Sequence, residues 1–341
     1  MRRSTIMMKR WIHAWERALY RRDDNRRVGP FAWGLDHLGI EGENPDPRHR
    51  LHRFVERTLR NSDAFFTPPP AITFHYQDGR LTFLSPIQSP WPENNRVWAD
   101  FFPASSTGPA AIVLPHWNAR PHAYVALCKW LNACRISALR LTLPYHEARK
   151  PAHLERADYL ISANIGRTIQ ACRQSVLEAR LAADWLIERG YHPVGIVGTS
   201  IGSCIAFLTF AHDDRFRVGV FNHVSSYFAD VVWKGLTTQH VRRSLEPHVE
   251  LEELRQFWSV ISPHVYVPRL RRMSRKALLI SARYDLSFPP SLTAAFHREL
   301  DRWNVPYDTV ILPCGHYTSG VFPFKYLIGF SIVTYLRRHL R

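Results

Sequence analysis

The stretch that decides the fold is His192-Pro193-Val194-Gly195-Ile196-Val197-Gly198-Thr199-Ser200-Ile201-Gly202-Ser203-Cys204-Ile205-Ala206-Phe207-Leu208. A short apolar run reads as a buried strand, and a second apolar run without turn residues reads as a helix. Between them lies Gly198-Thr199-Ser200-Ile201-Gly202, a Gly-x-Ser-x-Gly pattern. Small residues flank the serine because strand and helix backbones crowd at such a turn. The turn exposes the Ser200 hydroxyl at the strand's C-terminal end and sets the free N–H groups of a helix N-terminus beside it. The motif is short, so its context has to support it.

Working outward, strands and helices alternate. Apolar runs at 110–114, 138–143, 194–197, 218–221, 277–281 and 307–312 read as strands. Helical segments at 123–133, 165–189, 201–212, 291–303 and 324–338 fall between or after them. Two extended runs, 72–76 and 81–84, flank Gln77-Asp78-Gly79-Arg80 and read as a hairpin with an Asp-Gly turn, followed by a further extended run at 96–102. Leading antiparallel strands followed by repeated β–α units predict an α/β fold: a doubly wound, mostly parallel sheet of about eight strands. The strands lack polar alternation, as expected of a sheet covered on both faces. Residues 224–275 break this rhythm with polar, partly helical sequence rich in Trp, Tyr and His, and read as a lid insertion. Residues 1–69 form a basic, helical N-terminal extension, and 70–341 the main domain. In the extension Met8, Trp11, Ile12, Trp15 and Leu19 draw one apolar stripe, and a second helix is expected over 49–60, before Pro68-Pro69-Pro70.

A serine needs a base to be a nucleophile at neutral pH. The strand at 277–281 runs into Ala282-Arg283-Tyr284-Asp285, and the strand at 309–312 into Pro313-Cys314-Gly315-His316. Asp285 and His316 therefore fall in the loops after the last two strands, in the chain order Ser, Asp, His. His223 is the second choice for the base and Asp230 for the acid. Oxyanion donors are expected from the Ile201 N–H and from Trp117 or Asn118 in the loop after the strand 110–114. His116, Tyr145, His146, His223 and Tyr227 are candidates for the substrate pocket, with Trp233 and Trp258 as an apolar wall.

The chain has 341 residues, 45% hydrophobic and 22% charged, which excludes wholesale disorder and allows one inserted α/β domain or two domains. Its 45 basic and 29 acidic residues give a formal charge of +16. Lysine occurs only at 9, 129, 150, 234, 276 and 325, so the charge is mostly scattered arginine, read as compositional bias, with no nucleic-acid partner expected. Cysteines at 128, 134, 172, 204 and 314 are odd in number and contain no C-x-x-C pair, which predicts reduced thiols and a cytoplasmic protein. No run of about 18 apolar residues indicates a membrane span. Lys9, Arg10, His13 and Glu16 interrupt the N-terminal apolar residues, so no secretory signal is read. The basic helix over 1–25 is a candidate for peripheral contact with an anionic membrane. No metal, nucleotide or other cofactor motif is found.

With these motifs in order, the chain resembles the α/β-hydrolases. Through LPHWNA (114–119), SALRLTLPYH (137–146), RADYLISANIGRT (156–168), IVGTSIGSCIAF (196–207), FADVVWKGL (228–236), SARYDLSFP (281–289) and LPCGHY (312–317) it resembles the branch grouped with α/β-hydrolase domain-containing protein 18. The resemblance spans about residues 70–338 and implies an ester hydrolase with the roles of nucleophile, acid and base on Ser200, Asp285 and His316. His116-Trp117 stands where the family commonly has His-Gly, a departure at the second oxyanion donor. An acyltransferase or peptidase using the same triad, and a non-catalytic binding scaffold on this fold, are the competing readings.

Overall fold

The computed structural model describes every residue except Met1, Glu43, Ala71 and Arg341. Nine strands form one sheet in the order β1-β2-β3-β5-β4-β6-β7-β8-β9. They are β1 (His75–Gln77), β2 (Arg80–Leu84), β3 (Arg96–Phe102), β4 (Ala110–Leu114), β5 (Ser137–Leu141), β6 (Val194–Thr199), β7 (Phe216–Asn222), β8 (Lys276–Ala282) and β9 (Asp308–Leu312). β1, β2, β3 and β5 pair antiparallel, and every pairing from β5 through β4 to β9 is parallel. The Asp-Gly turn closes the first hairpin, with Asp78 at φ 51° and Gly79 at φ 77°, as a tight primed turn requires.

The helices are α1 (Arg2–Tyr20), α2 (Pro47–Arg60), α3 (Ser62–Phe66), α4 (Val125–Ala133), α5 (Ile165–Glu188), α6 (Ile201–His212), α7 (Phe228–Lys234), α8 (Gln239–Leu245), α9 (Leu251–Phe257), α10 (Pro263–Tyr266), α11 (Pro290–Arg302) and α12 (Phe324–His339). Asp46 caps α2 and Asn164 caps α5, each accepting a backbone N–H from the first turn. Residues of β4, β5 and β6 alternate between two cores. Ile112, Leu139 and Ile196 pack with α5 and α6 on one face, while Ala111, Ala138 and Val197 pack with α4 and α12 on the other. That is why these strands read as unbroken apolar runs. α7 to α10 lie between β7 and β8, within the expected insertion.

The N-terminal stripe docks less completely than its periodicity predicts. Ile12 and Glu16 are buried and Trp15 and Leu19 half-buried, but Met8 and Trp11 are exposed. No helix among the described residues is long and apolar enough to cross a membrane.

Candidate active site

Parallel register lines up the ends of the central strands. Leu114 lies beside Gly198, Thr199 beside Asn222, Asn222 beside Ile280, and Ala282 beside Leu312. Residues just beyond these positions therefore emerge at one edge of the sheet, where open α/β sheets bind ligands. His116, Ser200, His223, Asp285 and His316 all follow a strand end in this way.

At Ser200 the backbone takes φ 57° and ψ −121°, a conformation strained for a residue with a Cβ. Gly202 then crosses β4 closely: a Cβ there would stand 2.4 Å from the carbonyl oxygens of both Leu114 and Pro115. The glycine that the sequence motif requires is thus needed for close approach of helix to strand. Ile201 is the first residue of α6, so its N–H has no intrahelical acceptor.

Asp285 is buried and both its oxygens are engaged. Oδ1 accepts the N–H groups of Ser287 (2.7 Å) and Phe288 (2.6 Å), which fixes the carboxylate. Oδ2 faces two imidazoles, His316 Nδ1 at 3.1 Å and His223 Nδ1 at 2.9 Å. The Phe288 ring stacks on His316 at 5.3 Å and 10°. Burial alone raises the Asp285 pKa, but the charge of His316 and the two imidazole hydrogen bonds hold it well below the usual carboxylate range. Burial lowers the His316 pKa, and the neighbouring Asp285 and Glu16 carboxylates more than offset this, leaving it raised. For His223 burial prevails and the pKa falls. Sequence reading offered His223 as an alternative to His316; the structure brings both to the same carboxylate oxygen. The three side chains also form a two-histidine, one-carboxylate donor set with ligand atoms within 4.8 Å of one another, although both Nδ1 atoms here are hydrogen-bonded to the carboxylate.

Ser200, Ile201, His116, Trp117, His223, Tyr227 and His316 line one mostly apolar cavity of about 680 Å³. Among the described residues no hydrogen bond joins the Ser200 hydroxyl to His316. The loop after β4 is anchored by its side chains: Trp117 Nε1 donates to the Ala157 carbonyl, and Asn118 Oδ1 accepts the Ala157 N–H. The Asn118 N–H donates to His146 Nε2 at 2.9 Å, so it is engaged in this conformation; the Trp117 N–H has no partner among the described residues. Burial pulls both His116 and His146 down to about 4, so each is neutral near pH 7.

Other candidates fall elsewhere. Tyr145 and His146 are buried behind the loop and do not line the cavity. Trp258 lies in the core with its Nε1 donating to Ile165, and Trp233 packs against that core, so neither forms the expected wall. Asp230 pairs with Arg255 and Lys234. Sequence reading missed Glu16, noting it only as an interruption of an apolar run, although it stands four residues after Ile12 on the stripe's own face.

Solved structures share this architecture. The esterase Pf2001 of Pyrococcus furiosus matches with TM-score 0.53 and 13% identity, covering 81% of this chain and 100% of the esterase. The acylaminoacyl peptidase of Pyrococcus horikoshii matches with TM-score 0.56 and 13% identity over 80% of this chain and 42% of the peptidase. An acetyl xylan esterase from Paenibacillus sp. R4 matches with TM-score 0.56 and 10% identity over 88% of this chain and 99% of that enzyme. No protein-family model and no curated protein matches the chain. At these identities the likenesses show the fold, that of the α/β-hydrolases.

Proposed function

We propose that the chain is a serine hydrolase that cleaves a carboxylic ester through an acyl-enzyme. The observation that carries this reading is the His316–Asp285 contact of 3.1 Å, with His316 lining the same cavity as Ser200 on its strained turn. Ser200 Oγ attacks the acyl carbon while His316 Nε2 takes its proton and then gives it to the leaving alcohol. Asp285 holds the proton on His316 Nδ1 and stabilises the imidazolium. The N–H groups of Ile201 and Trp117 face the developing oxyanion. Water, activated by His316, then releases the acid and restores Ser200. The gap between Ser200 and His316 is compatible with this sequence, because catalytic hydrogen bonds often tighten only when substrate is bound.

A fluorophosphonate probe tests the reading. The wild type is expected to label at one site, and Ser200→Ala to abolish labelling while keeping its thermal melt. A folded wild type that does not label favours the binding scaffold. Esterases and a peptidase share the fold, so matched ester and peptide p-nitroanilide substrates decide between those acyl donors, and added alcohol or thiol acceptors reveal acyl transfer. The likeness to the branch named with α/β-hydrolase domain-containing protein 18 supports the ester reading.

The apolar cavity and the exposed Ile6, Met7, Met8 and Trp11 of α1, beside Lys9 and Arg10, support a lipid-like substrate reached at an anionic bilayer. Five free cysteines, four of them buried, support a cytoplasmic location.

A further inference from the structure

We infer that Glu16 of the N-terminal helix is a positioning residue for His316, making α1 an integral part of the acid–base machinery. The inference rests on the role given to His316 above.

Glu16 is fully buried. Its Oε1 accepts the Thr318 N–H at 2.7 Å and its Oε2 the Tyr317 N–H at 3.1 Å. On the other side of His316, a Cβ on Gly315 would stand 2.3 Å from the Glu16 carboxyl carbon, so a larger residue there displaces this carboxylate. One carboxylate from α1 thereby binds the two residues that follow the histidine and packs against the residue that precedes it.

The chemistry of the pairing goes further than packing. Both oxygens accept N–H donors, which suits the ionised form. A buried carboxylate is costly unless a cation or strong donors face it. Among the described residues no arginine or lysine forms an ion pair with Glu16. The titratable groups whose charge it feels are His316 and Asp285, and it in turn acts on the Cys314 thiol; of these only His316 becomes a cation. His316 in turn faces Asp285, His223, His116, Phe288 and Tyr317, whose hydroxyl accepts from Arg26. Glu16 thus supplies a second negative charge, in addition to that of Asp285, to the imidazolium that forms as Ser200 is deprotonated. Burial, and to a smaller degree the Asp285 charge, raise the Glu16 pKa; the two N–H donors and His316 oppose this without cancelling it, so it stays above the ordinary carboxylate value.

The test is the His316 imidazole titration, followed by NMR in the full-length protein, for wild type, Glu16→Gln and Glu16→Asp. It is paired with kcat, KM and pH profiles on a soluble p-nitrophenyl ester. In Glu16→Gln the His316 midpoint is expected to move to lower pH and kcat to fall about tenfold with KM nearly unchanged. Glu16→Asp keeps the charge and is expected to restore most of the midpoint. An unchanged midpoint and kcat in Glu16→Gln overturns the inference. So does an equal loss in both variants with no movement of the midpoint, since Glu16 is then only a packing group. Should Glu16→Gln not fold, Glu16→Ala takes its place with the same readout: a His316 midpoint moved to lower pH supports the inference, and a wild-type midpoint overturns it. A shifted midpoint in a protein whose esterase activity survives Ser200→Ala overturns the triad reading while leaving the Glu16–His316 coupling standing.

Discussion

Ser200 and Gly202 carry tight local constraints at the site. The serine is held at φ 57° by a turn in which Gly202 meets two carbonyl oxygens of the β4 end. Gly202→Ala must push α6 away from β4, so a loss of about 2 kcal/mol or more is expected by urea denaturation, together with loss of probe labelling. At the same scale, the pKa directions fix the pH dependence. His316 is raised above its ordinary 6.5, so kcat/KM on a neutral ester is expected to rise with pH and reach half its plateau above pH 6.5. A midpoint below that in the wild type contradicts the arrangement. The stability signs follow from linkage. The His316 contribution is fully present below pH 6.5 and is lost as pH rises through its folded value. The Asp285 contribution is present above its ordinary 3.8 and is lost as pH falls through its depressed folded value. Urea melts of wild type and Asp285→Asn are therefore expected to converge in strong acid and to diverge near neutrality.

Among the elements, α1 faces two ways. Ile12 and Glu16 point into the protein, and Ile6, Met7, Met8 and Trp11 point out. The Trp11 and Trp15 rings pack at 5.0 Å, and Tyr20 meets Tyr317 at 6.2 Å, so the inner face reaches the loop that carries His316. If the outer face seats on an anionic bilayer, the double variant Met7→Ser with Trp11→Ser is expected to weaken vesicle flotation at least tenfold with its melting temperature retained. Equal flotation of variant and wild type removes the membrane role. Among the helices between β7 and β8, Phe228, Val231 and Val232 of α7 line the cavity, and Trp258 at the end of α9 anchors this segment in the core.

Across the whole molecule, the loop edge is tied to the sheet's flank by a buried ion pair. Arg149 meets Glu178 of α5 at 2.7 and 2.6 Å and also donates to the carbonyls of Asn94 and Thr142. Three residues before it, His146 receives the Asn118 N–H from the loop after β4. Glu178→Ala leaves the guanidinium buried and unpaired, so a loss of about 3–5 kcal/mol is expected from chemical denaturation. A loss under about 1 kcal/mol means that water or a rearranged loop satisfies Arg149 instead.

How much of this was legible beforehand depends on the range of the physics involved. The turn at Ser200, the hairpin at Asp78-Gly79 and most strands and long helices were read from the residues, because backbone sterics, burial periodicity and capping act over a few positions. Asp285 and His316 were legible as loop residues after the last strands, since topology sends parallel strand ends to one edge. Their shared contact with His223 was not legible, because it depends on how three separated loops converge around one carboxylate oxygen. Nor was the role of Glu16 at the His316 loop: a single carboxylate on an apolar stripe acquires meaning only from what the stripe is packed against, here residues 301 and 302 positions later in the chain. Local sterics and hydrophobic pattern were enough to read the alternation of elements and the chain order of Ser200, Asp285 and His316 directly from the residues. The tertiary structure alone decided which polar groups face one another out of water, because that pairing is set by long-range packing and by the cost of burying a charge without a partner.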